Sequence, residues 1–211
     1  MVLSSVTANA ESVFVHGRKL ELAQPVGFCP LGDTSRETKL LEMQRRNVSP
    51  AGELAQFSVS CDELSEFQKG NLESFSVWAQ VLVLRRHGKF SLVFEKREQF
   101  VRAIAGNVST RSVDLAETSR RANEHLAQAG VRVQALGMEP IGIRDSAFFA
   151  TMRLKAEANG VTEPMVAVVA VTVANRLPVA VQVYGNSRAS GMPLASIAAT
   201  YVSSVVNQNS E

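Results

Sequence analysis

Residues 148–184 alternate and reverse in a pattern that an antiparallel sheet accommodates. Phe148, Ala150, Met152, Leu154 and Ala156 fall on one side of an extended strand, and Thr151, Arg153, Lys155 and Glu157 on the other. That strand has one covered and one wet face. Asn159-Gly160 then supplies the strongest short hairpin signal in the chain. Residues 165–173 are nearly all Val and Ala, which predicts a central strand covered on both faces. Asn175-Arg176 reverses the chain again, with only the Asn favouring positive φ, and residues 178–184 return as a further strand.

Helical spacing follows directly. Leu194, Ile197, Ala198, Tyr201, Val202, Val205 and Val206 share one face of a helix that Pro193 opens, and that face must lie on the sheet. Upstream, Val13-Phe14-Val15 and Leu20-Glu21-Leu22 flank His16-Gly17-Arg18 as a hairpin. Asp33 or Thr34 caps a helix ending near Arg46, a strand spans residues 53–61, and Asp62 caps a short helix ending near Phe67. Residues 75–86 form a strand with Trp78 in the core. A helix over 93–105 stops at Gly106, and a surface helix covers 113–128. Short extended segments are expected at 131–136 and 141–143. With no internal repeat and no linker, residues 12–207 read as a single domain with flexible ends at 1–11 and 208–211.

The 22 basic and 20 acidic residues leave a formal charge of +2, too balanced for a nucleic-acid or anionic-membrane surface. The longest apolar run, residues 164–174, is about half the length of a membrane helix. At the N-terminus, Val2 to Thr7 followed by Ala8-Asn9-Ala10 resembles the end of a signal peptide with an A-x-A cleavage site; a chance match in a flexible terminus is the alternative. The first reading places the protein in the periplasm or outside the cell, the second in the cytoplasm. Cys29 and Cys61 bear on the same choice. In an exported chain they form a disulfide, the expectation adopted here, and in a reducing compartment they are two buried thiols.

No catalytic apparatus is legible. His16, His87 and His125 have no metal-ligand spacing, no G-x-S-x-G elbow is present, and Gly137 to Gly142 lacks the glycine spacing of a phosphate loop. Cys29 with His16 is the one conceivable nucleophile pair, and a disulfide abolishes it. Asp62-Glu63 and Glu95/Glu98 are solvated carboxylates near helix starts. Among the basic clusters Arg45-Arg46, Arg120-Arg121 and Arg85-Arg86-His87-Gly88-Lys89, the last gathers cations at a strand end, so Arg85, Arg86 and Lys89 are the candidate partner contact.

The order of elements adds a resemblance: an N-terminal hairpin, Gly27-Phe28-Cys29, a helix, a strand ending at Cys61, an antiparallel meander, then Asn175-Arg176-Leu177-Pro178-Val179, Tyr184-Gly185 and a terminal helix. This pattern resembles exported bacterial proteins of unknown function related to the PsbP-like superfamily. The resemblance implies an α+β, three-layer α/β/α sandwich with a central, mainly antiparallel sheet, used for protein contacts and carrying no cofactor. The expected function is therefore a non-enzymatic accessory protein that binds an unidentified protein partner, with no nucleic acid and no membrane span. A small-ligand or lipid-binding module with an apolar pocket between sheet and helix is the alternative, and an unrecognised enzyme the third. Oligomeric state is left open.

Overall fold

Three two-residue turns set the topology. His16 and Gly17 (φ 50° and 74°), Asp145 and Ser146 (47° and 59°), and Asn175 and Arg176 (48° and 64°) are all left-handed, the conformation whose twist matches that of paired strands. They close β1 (Ala10–Val15) on β2 (Arg18–Ala23), β6 (Val131–Arg144) on β7 (Ala147–Ala158), and β8 (Val161–Ala174) on β9 (Leu177–Asn186). Arg176 thus takes the positive φ that only Asn175 was expected to favour. The computed structural model describes residues 10–49, 51–85, 88–110, 116, 119–120, 123–124, 131–158 and 160–209.

With β3 (Phe28–Pro30), β4 (Gly52–Ser60) and β5 (Val77–Leu84), the meander makes one seven-stranded antiparallel sheet in the order β3-β4-β5-β9-β8-β7-β6. The helices α1 (Ser35–Val48), α2 (Cys61–Gln68) and α3 (Arg97–Thr110) pack on one face. The helix α4 (Leu194–Gln208) and the β1-β2 hairpin cover the other. The chain is therefore an α/β/α sandwich around an antiparallel sheet, the expected fold class.

The larger core lies under α4. Ala198, Tyr201, Val202 and Val205 are fully buried against Val179, Val181 and Val183 of β9 and Ala170 of β8. The Tyr201 hydroxyl donates to Gln56 Oε1, and the Gln56 amide donates to the Leu22 carbonyl at 3.2 Å, so helix, β4 and hairpin share one buried polar link. Val166 to Pro164 run past the N-terminal end of α4, and there β8 is not covered on both faces as expected.

Several expected boundaries move. The segment 93–96 is not helical, and α3 runs through Gly106 to Thr110. Segments 131–136 and 141–143 are one strand, β6, with irregularities at Ala135/Gly137 and Pro140/Gly142. Bulges of this kind break the two-residue alternation that would reveal a strand. The helix expected over 113–128 lies mostly outside the described residues; within it Ala116, Ser119, Arg120, Asn123 and Glu124 are described and helical. Asn123 binds both the N–H (2.7 Å) and the carbonyl (2.9 Å) of Val133. At the two ends expected to be flexible, Ala10 and Glu11 belong to β1, Gln208 to α4, and Asn209 is buried.

Candidate functional site

Cys29 sits in β3 and Cys61 begins α2, and their sulfurs are bonded at 2.08 Å. The bridge ties the edge strand to the helix that follows β4, over Phe57, Leu64 and Phe67. A bonded Cys29 is no nucleophile, and His16 instead lies against Phe90, 3.6 Å between ring centroids, with Glu53 at 3.5 Å. Among the described residues no group of His, Cys, Asp and Glu could hold a metal ion, and His87 and His125 lie outside them.

The expected contact turn is only partly described. Arg86 lies outside the described residues and Lys89 is exposed. Arg85 donates to the Ser49 carbonyl at 2.9 Å and its guanidinium lies 4.7 Å from the Phe90 ring centre. It closes the end of β4 and β5 and is not a free cation.

The residues that line two apolar surfaces were not anticipated. On the α4 face, the outer ends of β6, β7 and β8 extend beyond the start of α4 and leave an open depression of about 730 Å³. Leu136 (51% exposed), Val166 (38%) and Met192 (45%) stand in it, and Arg153 at its edge pairs with Glu139 at 2.8 Å. Leu136 occupies the β6 bulge, which is why strand alternation does not identify it.

On the opposite face a cleft of about 470 Å³ runs between α1 and β6. Leu40 and Met43 of α1 form one wall, Val131, Val133 and Ala135 the other. Trp78 and Tyr184, directly opposed on β5 and β9, stack in it with ring centroids 5.1 Å apart and planes 9° from parallel. The expectation that Trp78 is core is thus met only in part, since one side of the stack borders the cleft. Beside it, Gln80 and Gln182 are also directly opposed, and the Gln80 amide donates to Gln182 Oε1 at 2.6 Å. The Tyr184 hydroxyl donates to the same oxygen at 2.9 Å. Desolvation pushes that hydroxyl up to about 12, partly offset by the Gln80 amide. Gln80 is the only polar residue in Val77–Leu84, a signal that could have marked this place.

Fold and surfaces together define an α/β/α sandwich with an apolar cleft on one face and an uncovered apolar end on the other. No family model matches the chain, and no curated protein matches it. Among solved structures it is similar to the Saccharomyces cerevisiae Ran-binding protein Mog1p, at 14% identity over 96% of this chain and 93% of that one, with a TM-score of 0.31. The expected periplasmic or secreted location does not stand, since Ala10, the last residue of the A-x-A match behind it, is paired with Ala23 in β1. A likeness at this level does not carry a function from one chain to the other. Among the described residues no helix is long and apolar enough to cross a membrane.

Proposed function

We propose that this chain is a non-enzymatic protein-binding module built on a PsbP-like sandwich, and that it docks its partner on the uncovered end of β6, β7 and β8. The observation that carries this reading is the group Leu136, Val166 and Met192, three large apolar side chains left in water on one surface. A contiguous apolar patch with a polar rim is the anatomy of a protein contact. Arg153 and Glu139 at the edge would govern orientation and association rate more than affinity. The Arg85 turn is the weaker candidate, because its one described guanidinium already serves the fold.

A Val166→Lys/Met192→Lys variant should remain folded, since both positions are exposed, and should lose the partner that the wild-type chain captures. Lys89→Glu should keep it. Loss of the partner in Lys89→Glu alone would move the contact to the turn, and retention in both variants would end the proposal for either surface. A small-ligand function is favoured by a separate observation, the cleft on the other face with Gln80 beside its aromatic stack.

A further inference from the structure

The cleft between α1 and β6 falls within the size range of small-molecule sites. Around the Trp78–Tyr184 stack the lining is mostly apolar, with Met152, Leu154 and Met165, while Gln44, Asn47, Ser74, Ser119 and Asn186 also border the cleft. Beside the stack lies Gln80, 3% exposed. Its nitrogen is used by Gln182, but its Oε1 is buried and accepts no hydrogen bond. A buried acceptor without a donor is destabilising, and each such group in a folded protein calls for an explanation. Leu or Val at this position in β5 would carry no such penalty.

Charge narrows what could supply the missing donor. Among the described residues of the cleft the ionisable ones at neutral pH are Glu73 and Glu163, both acidic, with no Lys or Arg. Among the described residues an anionic head group would meet no counter-charge there and would be repelled by two carboxylates.

We propose that this cleft binds a small, neutral, apolar molecule carrying one hydroxyl or amide N–H, which donates to Gln80 Oε1 while its apolar body lies along Trp78, Tyr184 and Met165. The oxygen is covered while the cleft is empty, so the Gln80 amide turns toward the cleft as the donor enters. The site is on the opposite face of the sheet from the docking surface, and it gives the small-ligand reading a place and a chemistry on which that reading can be tested alone.

Trp78 is the only tryptophan in the chain, so its emission reports occupancy directly. The full chain is titrated with 1-decanol, with 1-methoxydecane, which keeps the oxygen but has no donor, and with sodium decanoate. The expected result is a saturable change with 1-decanol, and binding weaker by roughly tenfold or more for both of the others, about the worth of one buried hydrogen bond. Gln80→Leu should bind 1-decanol and 1-methoxydecane equally, and without ligand should melt at the same temperature as wild type or higher, because the orphan oxygen is gone. Ala156→Phe, a partly exposed position at the cleft, should fold normally and abolish binding of all three; it also decides the matter if Gln80→Leu fails to fold. Absence of any saturable change, equal affinity for 1-decanol and decanoate, or wild-type discrimination in Gln80→Leu would overturn the proposal. The Val166→Lys/Met192→Lys variant should titrate as wild type, which separates failure here from failure of the protein contact.

Discussion

The guanidinium of Arg97 donates to the main-chain carbonyl of Asn209 at 3.0 Å, and through Nε to the carbonyl of Val173 at 2.7 Å. Arg97 begins α3 on one face of the sheet, whereas Asn209 ends α4 on the other, so one buried cation joins the two helical layers around the end of β8. Asn209 continues the chain of contacts. Its side chain accepts from the Glu21 N–H (2.9 Å) and donates to the carbonyls of Glu21 and Val205 (2.8 Å each), which fastens the hairpin to the helix.

Asn209→Ala leaves three main-chain groups of Glu21 and Val205 without that partner. A buried polar group left without its partner costs about 1 to 3 kcal/mol, so a loss of at least that order is expected. Urea unfolding should show a lower midpoint with unchanged slope. A midpoint equal to wild type would mean that the end of α4 is not fastened in solution.

Glu37 should make the domain sensitive to acid. Burial alone would raise its carboxyl, but hydrogen bonds from the Thr34 hydroxyl, the Gly32 N–H, the Gln68 amide and the Thr34 N–H outweigh it and hold the group below its ordinary 4.5. A folded-state value below the unfolded one gives stability that is present in full above 4.5 and is lost as pH falls through the lower, folded value. Glu37→Gln should cost about 1 to 3 kcal/mol at pH 7, and its gap to wild type should narrow as urea melts are repeated at progressively lower pH below 4.5. A gap that does not change with pH would count against the ionised capping box.

The bridge between Cys29 and Cys61 closes a loop with a sequence separation of 32. Constraint of the unfolded chain by such a loop is worth about 3 to 4 kcal/mol in the chain-entropy model. Thiol titration of the unfolded, unreduced protein should find no reactive thiol, and a reductant should lower the thermal midpoint. Two reactive thiols would refute the bridge.

Val202 has no exposed surface and packs with Tyr201 and Val205 against the sheet. Val202→Asp buries an unpaired carboxylate and should unfold or aggregate the chain. Circular dichroism with a wild-type melt for this variant would mean that α4 is detachable from the core.

The sequence by itself determined the elements whose period is unbroken: the strands of residues 148–184 and the C-terminal helix, where the two-residue and 3.6-residue repeats reveal which side chains face inward. Asp33 or Thr34 was also legible as the cap of α1, and in the structure the cap is Thr34, in a capping box with Glu37. What only the tertiary structure decided depends on residues far apart in the chain. The bulges in β6 place Leu136 on the surface beside Val166 and Met192, and no local period encodes that meeting. Gln80 is the one polar residue of β5, and Gln182 lies in the mainly apolar stretch of β9. Only the pairing of β5 with β9 sets them opposite one another and leaves Gln80 Oε1 without a donor. Arg97 and Asn209 meet because α3 and α4 flank the same end of β8 from opposite faces. Local sequence specifies the conformation of a segment, but which side chains share a cleft or a clamp follows from strand order and helix placement, which the whole core sets together.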